Sequence, residues 1–369
     1  MEHRVILQVM GMDSTKYGGI EHFNVALSRA LQSKRVKCIY IYEEEPLSNS
    51  FKNEIKEAGG ELLILNSRNN PFRFCINLAK LLKKYHPEVV HAHFTKAKFY
   101  AIPIAYCMGV KKLFMTVHSS MITKSKIKTH TRIWYDWANR IAKTIAVSDD
   151  IARMCEFNWP NSAIRRIYLG VKEIKGDKLQ SRSKLSIPEN QLVLLCVANF
   201  THIKGLDVLC KSVKKLKDRG KITNNICFYI VGQPDEDKQD LKKMIDSLAV
   251  QDFIMQTGIS NDVPDYMLSA DIYLQPSRSE GIGMALMEAA SASLPLIGTN
   301  VGGIPEIVKD GYNGFLVPPN DPDSLAKAIL NLLVNDEKRK FFGENSKTLY
   351  HEKFTISKGV EQTIEYYGI

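Results

Sequence analysis

Residues 275–319 read QPSRSEGIGMALMEAASASLPLIGTNVGGIPEIVKDGYNGFLVPP, and the pattern of this stretch decides the fold. It follows an apolar run at residues 272–274 that predicts a buried strand. After a short loop, apolar residues recur at helical spacing from Met284 onward. A second apolar run at residues 295–297 predicts the next strand. Strands that alternate with helices indicate a parallel sheet covered on both faces.

The loop that opens this helix combines two kinds of ligand-binding group. Gly281 and Gly283 flank Ile282, and N–H groups at a helix start suit an anion such as a diphosphate. Glu280 precedes them, and Glu288 follows Glu280 by eight residues, which is about two helical turns. Both carboxylates are therefore expected on one side of this unit, where each can accept two hydrogen bonds from the vicinal hydroxyls of a sugar or a ribose.

Each of these pieces alone has an ordinary structural explanation. A glutamate at a helix start is usually a capping or dipole residue. The Gly-x-Gly pattern is an incomplete dinucleotide fingerprint, because Leu286 stands where a third glycine would be. The combination of a phosphate cradle with two carboxylates is more specific, and it predicts a nucleotide-sugar site.

The order of these motifs resembles the nucleotide-sugar half of the family-4 glycosyltransferases with the GT-B fold. The resemblance runs through Glu280-x7-Glu288, Gly302-Gly303-Ile304-Pro305-Glu306 and Asp310-Gly311-x-x-Gly314-Phe315-Leu316-Val317, and more loosely through nearly the whole chain. It implies an α/β fold of two Rossmann-like parallel-sheet domains that face a cleft. It also implies transfer of a hexosyl group from a nucleotide-sugar to an acceptor hydroxyl, with retention of configuration and without a metal or other cofactor.

Length and composition bound the class of protein. The chain has 369 residues, which allows two domains, and 44% of them are apolar, which is enough for packed cores. No apolar run is long enough for a transmembrane helix, and the apolar run near the N-terminus is too short for a secretory signal. The seven cysteines are scattered without a CxxC pair, which favours reduced thiols in a cytoplasmic protein over disulfides or a zinc site.

The net charge of +10 is concentrated in the first half of the chain. Residues 1–170 carry 26 Lys and Arg against 14 Asp and Glu, whereas residues 171–369 carry 24 against 26. A basic half can bind nucleic acid, an anionic membrane surface or a phosphorylated acceptor. No recognised nucleic-acid-binding module accompanies the charges, so no nucleic-acid partner is expected.

The alternation of elements divides the chain into four parts. We expect an N-terminal Rossmann-like acceptor domain at residues 1–170 and a polar linker at 171–188. A C-terminal Rossmann-like donor domain follows at residues 189–350, and the family implies that a last helix within 351–369 packs back on the first domain. The predicted strands lie at residues 5–10, 38–42, 62–65, 89–92, 113–117, 144–147, 164–168, 192–198, 226–231, 253–256, 272–274 and 295–297.

Candidate site residues in the first half follow predicted strands. Gly18 and Gly19 open a helix after the first strand and form either a plain turn or a loop for a phosphate or the acceptor. His91 and His93 lie at the end of the fourth strand, and we expect one to be packed and one to line the cleft. His118 follows the fifth strand, and the resemblance implies that it faces the donor sugar near the reacting carbon. Ser148 is predicted to be a helix N-cap.

The second half supplies the remaining donor-binding candidates. Lys204 precedes a glycine at a helix start, where its ammonium can reach a diphosphate as a point charge. The family carries an arginine five residues earlier, where this chain has Asn199, so Arg278 or His202 would have to compensate. The resemblance implies that Gly258 and Ile259 hold the nucleotide base through backbone groups. The acidic run at residues 235–237 superficially resembles a metal-binding DxD motif, but we interpret it as the start of a surface helix.

These assignments predict the role of each residue. Glu280, Lys204 and His118 are the predicted catalytic residues, and the other candidates bind the nucleotide-sugar donor or shape the acceptor side. A nucleotide-sugar epimerase and a catalytically inactive nucleotide-sugar-binding relative remain as alternatives, because the same fold serves them. An oxidoreductase is less consistent with the sequence, since no complete glycine fingerprint is present.

A basic segment between residues 96 and 143 suggests where the acceptor lies. It contains ten Lys and Arg residues, one acid, and Trp134, Tyr135 and Trp137. Cations interleaved with aromatic residues suit an anionic bilayer, which predicts a protein peripheral at the inner face of the membrane and a glycan or lipid-linked glycan as acceptor. The alternative is a solvated basic face with the aromatic rings buried in the domain core.

Overall fold

The structure, a computed structural model, describes residues 4–15, 17–68, 70–119, 129–232 and 240–369. These residues form two compact units. The first unit comprises Met1–Val171 together with Phe354–Ile369, and the second comprises Lys172–Lys353.

The described strands are, in chain order, β1 (Arg4–Val9), β2 (Val36–Tyr42), β3 (Glu61–Ile64), β4 (Val89–Ala92), β5 (Lys112–Val117), β6 (Lys143–Ala146), β7 (Ile164–Arg166), β8 (Leu192–Val197), β9 (Ile226–Val231), β10 (Ile254–Gly258), β11 (Ile272–Gln275), β12 (Leu296–Thr299) and β13 (Gly314–Val317). Every strand expected from the sequence is present within a few residues, and β13 is an additional one.

The described α-helices are α1 (Gly19–Ser33), α2 (Asn49–Glu57), α3 (Pro71–Tyr85), α4 (Thr95–Cys107), α5 (Thr129–Ile141), α6 (Asp149–Asn158), α7 (Lys178–Lys184), α8 (Leu206–Asp218), α9 (Asp240–Ser247), α10 (Val263–Ser269), α11 (Met284–Ser291), α12 (Ile304–Ile307), α13 (Pro322–Leu333), α14 (Asp336–Leu349) and α15 (Ile356–Tyr367).

The first unit is built on one parallel sheet with the strand order β3-β2-β1-β4-β5-β6-β7. Its central strands are mostly apolar, and nearly every side chain of β1, β4 and β5 is buried. Helices that cover both faces of a parallel sheet require this continuous apolar pattern. The predicted Rossmann-like architecture is therefore confirmed for this unit.

Helix starts in the first unit follow from local sequence. Asn70 Oδ1 accepts a hydrogen bond from the Arg73 N–H at 2.9 Å, and Pro71 occupies the first helical position of α3. Ser148 Oγ accepts from the Ile151 N–H at 3.1 Å and caps α6. The predicted N-cap role of Ser148 is therefore confirmed.

The C-terminal helix α15 belongs to the first unit. Val171 and Thr355 form a parallel bridge just before it, and α15 packs against α1. Near its end, Tyr367 is 1% exposed and its hydroxyl lies 2.9 Å from Gln8 Nε2 on β1. The Tyr367 side chain, from the last turn of α15, thus reaches a polar residue of the central strand β1.

The second unit is built on a parallel sheet with the strand order β10-β9-β8-β11-β12-β13. One hydrophobic cluster joins β8 and β9 to helices α8 and α13, and it includes Leu194, Phe228 and Ile329 at 0% exposure. This unit is the second Rossmann-like domain that the sequence predicts, and both domains of the fold class are confirmed.

The segment expected to be a linker, residues 171–188, contains helix α7 and is packed within the second unit. Arg182 explains the packing, because its side chain is 3% exposed and its Nη2 lies 2.9 Å from Asp271 Oδ2. The same guanidinium donates to the carbonyl oxygens of Ser269, Pro188 and Glu189. The polar composition of the segment concealed this buried cation from the sequence prediction.

Candidate active site

The strand order of the second unit reverses between β8 and β11. Ligands of open parallel sheets bind outside the carboxyl ends of the strands at such a switch point. Lys204 follows β8, and Glu280 follows β11. The structure therefore places these two predicted residues on either side of the switch point.

The carboxylate of Glu280 is held through one of its oxygens. Oε2 accepts hydrogen bonds from Lys204 Nζ at 2.7 Å, Gln275 Nε2 at 3.3 Å and Ser277 Oγ at 3.4 Å. No group in the described ranges donates to Oε1, and the side chain is 15% exposed. One oxygen thus fixes the carboxylate, whereas the other can accept hydrogen bonds from ligand hydroxyls.

Lys204 is held against the loop that carries Glu280. It ends a short 3-10 turn, His202–Lys204, and Gly205 follows at φ +66°. A Cβ on Gly205 would lie 2.0 Å from the carbonyl oxygen of Pro276, so only glycine permits this approach. The close packing explains why Lys204 and Glu280 meet as an ion pair.

Arg278 does not supply the cation that Asn199 lacks. Its Nη1 and Nη2 donate to the two carboxylate oxygens of Asp207 at 2.7 and 2.8 Å, and its Nε donates to Asn320 Oδ1. Nη1 also donates to the carbonyl oxygen of His202 at 2.6 Å. The guanidinium is therefore engaged within the protein, where it ties the Glu280 loop to the turn that carries Lys204.

The backbone between Glu280 and α11 offers unpaired donors. Within the described residues, the N–H groups of Gly281, Ile282 and Gly283 donate to no protein acceptor. They precede the N-terminus of α11, where the helix dipole also favours an anion. Free donors at a helix start suit an anion, and the diphosphate cradle at this position stays a prediction.

The backbone of Gly302 and Gly303 packs against the loop that carries Glu280. Gly302 has φ +53°, and a Cβ there would lie 1.9 Å from the carbonyl oxygen of Glu280. A Cβ on Gly303 would lie 2.5 Å from the carbonyl oxygen of Gly281. The two glycines therefore allow the loop to lie against the start of α12, a role that their sequence position alone does not reveal.

Glu288 lies on α11, but the helix begins only at Met284. The eight-residue spacing from Glu280 is therefore not two full helical turns. Burial raises the pKa of Tyr273 above its ordinary value, with further contributions from Cys196, Glu288 and Glu280. The expectation that the two carboxylates share one side of this unit stays a prediction.

The remaining donor-binding candidates lie at the same edge of the sheet. Gly258 ends β10 at φ +73°, and its carbonyl oxygen accepts a hydrogen bond from the N–H of Gly232 at the end of β9. Ile259 is 69% exposed directly after β10. Asn199 is exposed after β8. An exposed apolar side chain at this edge suits the flat face of a nucleotide base.

Replacing Asn199 with arginine should strengthen binding of a nucleoside diphosphate about five- to fiftyfold, as one added charged contact does. The exposed position can accept the longer side chain. Isothermal titration calorimetry of both proteins measures the difference, and Asn199→Met is the matched control without charge. Loss of binding in the arginine variant alone would show that this loop runs elsewhere than the family pattern implies.

The first unit also has a switch point, between β1 and β4. Gly18 and Gly19 follow β1, and Glu21 in the first turn of α1 accepts a hydrogen bond from the Gly18 N–H at 3.1 Å. Ser14 Oγ donates to the other oxygen of Glu21 at 2.9 Å. The N–H of Gly18 is thus occupied by Glu21, and Gly19 is the first residue of α1.

The expectation that one histidine of the β4 pair lines a cleft is wrong. His91 is 2% exposed and His93 is 7% exposed, because both rings are bonded inside the unit. His118, after β5, is less buried and stacks on Phe94 with ring centroids 4.6 Å apart. His118 is therefore partly buried and the least buried member of this histidine cluster.

Burial keeps all three histidines neutral. It lowers the pKa of His91 and His118 well below the ordinary value and that of His93 to about 3, and the ammonium of Lys98 adds to each effect. Burial also lowers the pKa of Lys98 to about 8. Neutral imidazoles can act as hydrogen-bond donors or acceptors near pH 7 without carrying charge.

The structure adds no support for a metal centre. In the ranges that it describes, no three His, Cys, Asp or Glu side chains group together as ligands would. Asp235 and Asp237, which carry the DxD-like pattern, lie outside those ranges.

The basic segment is less exposed than its sequence suggests. Lys98 is 3% exposed and donates to the carbonyl oxygen of Thr116, and Lys112 forms an ion pair with Glu88 at 2.7 Å. Lys124, Lys126 and Lys128 lie outside the described residues. Lys98 therefore cannot contribute to a membrane-facing surface.

The aromatic residues of this segment also pack inward. Tyr135 is 4% exposed, and Trp134 and Trp137 are partly buried against the core of the first unit. Exposed apolar side chains come instead from Ile133 on α5 and Tyr106 on α4, at 64% and 51%. Among the described helices, none combines the length and apolar character needed to cross a bilayer.

Sequence reasoning missed several residues that hold the candidates in place. Gln275 and Ser277 fix Glu280, and Gln8 and Tyr367 bond to the buried histidines. Gln275 carried a usable signal, since a polar residue at the end of an apolar strand points toward the ligand edge of a parallel sheet. Tyr367 carried none, because its partners are distant in sequence.

Comparison with known proteins identifies the class. Residues 17–173 match the family model Glycosyltransferase Family 4, and residues 177–349 match Glycosyl transferases group 1. An uncharacterized glycosyltransferase of Methanocaldococcus jannaschii is 34% identical over 289 residues, which cover 74% of this chain and 73% of that protein. The chain belongs to glycosyltransferase family 4.

Other similar proteins extend over more of the chain. The UDP-Gal:alpha-D-GlcNAc-diphosphoundecaprenol alpha-1,3-galactosyltransferase of Escherichia coli is 25% identical and covers 88% of this chain and 87% of its own. The crystal structure of Anabaena HepE in complex with UDP and glucose superposes with a TM-score of 0.85 at 18% identity, over 99% of this chain and 100% of HepE. The GT-B fold predicted from the sequence is confirmed.

Proposed function

We propose that this glycosyltransferase moves a hexosyl group from a nucleotide-sugar to an acceptor hydroxyl with retention of anomeric configuration. The observation that most supports this proposal is the position of the Glu280 carboxylate at the switch point of the second unit. Its Oε2 is fixed by Lys204 while its Oε1 remains open to ligand hydroxyls. A residue that only stabilised the fold would not need an open carboxylate oxygen beside a cation.

The charges of this site suit the donor that we propose. The diphosphate of a nucleotide-sugar would take over Lys204 and the N–H groups of residues 281–283, and Glu280 would then bind the sugar hydroxyls. Glu288 would bind the ribose. Gly258 and Ile259 would hold the base through backbone and apolar contact.

The reaction breaks the bond between the anomeric carbon and the diphosphate oxygen and forms a bond from that carbon to the acceptor oxygen. Negative charge develops on the leaving diphosphate, and an oxygen of that diphosphate can take up the proton that the acceptor hydroxyl loses. Lys204 and the N–H groups at the start of α11 are fixed donors for that developing charge. Retention means that the acceptor attacks from the face that the leaving group occupied.

The transfer is tested with a panel of UDP-, GDP- and ADP-sugars and a membrane-glycan extract. HepE was solved with UDP and glucose, so UDP-sugars come first in the panel. Proton NMR of the product should show a new glycoside whose anomeric configuration equals that of the donor. A free epimerised nucleotide-sugar would identify an epimerase, and binding without any product would identify an inactive relative.

Activity should survive treatment with EDTA, because protein cations rather than a metal neutralise the diphosphate in this proposal. The measurement is the rate of nucleoside diphosphate release before and after chelation and gel filtration. Loss of activity that Mn²⁺ or Mg²⁺ restores would refute this part of the proposal and redirect attention to Asp235 and Asp237.

We also propose a lipid-linked glycan as acceptor and a position at the cytoplasmic face of the membrane. The galactosyltransferase of Escherichia coli acts on a diphosphoundecaprenol-linked acceptor according to its name. An enzyme without a membrane span can reach such an acceptor through a basic surface. Each Lys or Arg near an anionic membrane adds about 1 kcal/mol to the binding free energy.

Reversing the charges of Lys124, Lys126, Lys128 and Arg132 should release the protein from anionic vesicles at low salt without changing nucleotide binding. Sedimentation with anionic and neutral vesicles measures the effect. Reversing four lysines of the near-neutral second unit, Lys214, Lys217, Lys338 and Lys340, is the matched control. Equal sedimentation with both vesicle types would favour an acceptor that is not membrane-bound.

A further inference from the structure

Three buried polar side chains follow one another at the end of β11, a strand that lies between β8 and β12. Tyr273, Gln275 and Ser277 are 0%, 2% and 0% exposed. Alternate residues of a strand point to the same face, so Tyr273 and Gln275 share a face, and Ser277 continues the series just after the strand. We call these three residues the polar row. Burying polar groups costs free energy unless each finds a partner, so the partners of the polar row are informative.

Hydrogen bonds run along the polar row and end on Glu280. The Tyr273 hydroxyl donates to Gln275 Oε1 at 3.0 Å, and Gln275 Nε2 donates to Ser277 Oγ at 2.8 Å. Gln275 Nε2 also donates to Glu280 Oε2 at 3.3 Å, and Ser277 Oγ donates to the same oxygen at 3.4 Å. The polar row therefore supplies two neutral donors to one oxygen of the Glu280 carboxylate.

The Glu280 carboxylate fixes the orientation of the Gln275 amide. A carboxylate oxygen only accepts hydrogen bonds, so the amide atom that lies 3.3 Å from it is the nitrogen. A reversed amide would place two acceptor oxygens against each other. With the nitrogen on this side, Gln275 Oε1 faces Tyr273 and accepts its hydroxyl hydrogen. Burial raises the pKa of Tyr273, so the hydroxyl keeps that hydrogen.

The backbone of the polar row is held by the neighbouring strand. Thr299 on β12 is 1% exposed, and its Oγ1 donates to the carbonyl oxygen of Ser277 at 2.5 Å. The same hydroxyl lies 3.4 Å from the carbonyl oxygen of Gln275. β11 and β12 pair in register up to Gln275 and Gly298. The two neutral donors to Glu280 therefore start from a fixed backbone.

Lys204 holds the same Glu280 oxygen by a different kind of contact. Its side chain is 26% exposed, and its ammonium reaches Glu280 at 2.7 Å from another loop. In the proposed function, the diphosphate of the donor attracts this ammonium, so the Lys204 contact weakens when the donor binds. Gln275 and Ser277 are buried and uncharged, and an arriving anion leaves their contacts with Glu280 in place.

We propose that Gln275 and Ser277 are positioning residues that hold Glu280 Oε2 once the diphosphate has drawn Lys204 away, and that the Tyr273 hydroxyl holds the Gln275 amide in its orientation. Glu280 Oε1 thereby stays turned toward the ligand after the donor has bound. This inference rests on the proposed function, in which Glu280 binds the sugar hydroxyls. The polar row itself makes no contact with the nucleoside diphosphate, which distinguishes this role from general support of the fold.

Gln275→Met tests the central member of the polar row, because it keeps the length of the side chain and removes the amide. One hydrogen bond to a charged group is lost, so kcat for nucleotide-sugar turnover should fall about tenfold to 100-fold. The dissociation constant of the nucleoside diphosphate should keep its wild-type value. The donor is the nucleotide-sugar that the panel of UDP-, GDP- and ADP-sugars selects. Release of nucleoside diphosphate measures kcat, and calorimetry measures the dissociation constant.

Tyr273→Phe is a milder second variant, since it keeps the ring in the core and removes only the hydroxyl. The Gln275 amide then loses the partner that holds its orientation, and kcat should fall about fivefold, again with unchanged binding of the nucleoside diphosphate. The matched control is Tyr229→Phe on β9 of the same sheet. The Tyr229 hydroxyl lies 3.4 Å from Gln191 Oε1, outside the polar row, so this variant should keep the wild-type kcat.

The roles in the polar row and the proposed function fail in different ways. Wild-type kcat in Gln275→Met would overturn the positioning role of Gln275, and wild-type kcat in Tyr273→Phe would overturn that of Tyr273. A dissociation constant for the nucleoside diphosphate that rises as much as kcat falls would also overturn the proposal, since it indicates a loosened fold. Failure of the proposed function would appear instead as wild-type turnover by Glu280→Gln, or as no turnover of any nucleotide-sugar by the wild-type protein.

Discussion

Replacing Glu280 with glutamine should lower kcat for nucleotide-sugar turnover by about 100-fold or more, the effect of removing one electrostatic contact to a transition state. The variant keeps the size of the side chain but loses the charge that pairs with Lys204 at 2.7 Å. The open Oε1 position also loses its strength as an acceptor, because hydrogen bonds to charged groups are the stronger ones. Release of nucleoside diphosphate in the presence of donor and acceptor measures kcat and KM.

Glu288→Ala separates the two carboxylates. We expect it to raise the dissociation constant of the nucleoside diphosphate roughly tenfold to 100-fold, with a smaller change in kcat, because it would remove a ribose contact. The control is Glu344→Gln on α14, an exposed glutamate of the same unit. Near-normal kinetics in both the Glu280 and Glu288 variants would show that the site is assigned wrongly.

Acidification from pH 6.5 to 5.5 should destabilise the first unit by up to about 3 kcal/mol. The pKa of His93 is lowered to about 3, and those of His91 and His118 are also lowered, in each case chiefly by burial. In the unfolded chain these rings bind protons below about pH 6.5, whereas the folded unit keeps them neutral. Stability is therefore lost as the pH falls, by about 1 kcal/mol per ring between pH 6.5 and 5.5.

Tryptophan fluorescence isolates this effect, because all three tryptophans of the chain, at positions 134, 137 and 159, lie in the first unit. Urea unfolding at pH 7.5, 6.5 and 5.5 should show a plateau above pH 7 and a steep loss below pH 6.5. His93→Gln should reduce that loss by about a third, whereas His351→Gln, at a half-exposed ring of the second unit, should leave it unchanged. Equal stability at pH 6.5 and 5.5 would contradict the neutral histidine cluster.

The strands were predictable because buried parallel strands are continuous apolar runs. The same rule explains two failures. β13 lies at the edge of the sheet beside β12, and two of its four positions are only half buried. Its short sequence was therefore not predicted to be a strand. Helix α7 is polar, and it is held in the second unit by the buried ion pair of Arg182 with Asp271 rather than by an apolar face.

The candidate site was predictable where one local segment carries it. Glu280, Glu288 and the glycines at 281 and 283 lie within one loop and one helix. The cation that fixes Glu280 comes from elsewhere, because Lys204 lies 76 residues from it in the sequence. In the first unit, the hydrogen-bonded residues Gln8 and Tyr367 are likewise 359 residues apart. Sequence spacing does not report contacts at such separations, because only the folded sheet brings strand ends together.

Arg278 shows how a residue can be misread from sequence. An arginine in a loop before a phosphate cradle is expected to bind the phosphate. Its two-pronged contact with Asp207 instead fixes the loop, and that contact raises the pKa of Arg278 above its ordinary value. In the proposed site we therefore expect Lys204, rather than Arg278, to bind the diphosphate.

Calorimetric titration of UDP, GDP and ADP into the wild-type protein and into Lys204→Met tests the central claim most directly. We predict that one nucleoside diphosphate binds the wild-type protein at one site. Its affinity should fall roughly tenfold to 100-fold in the variant, the effect of losing one charged hydrogen bond. Equal binding to both proteins, or no binding of any of the three, would contradict a nucleotide-sugar site at the Lys204–Glu280 pair.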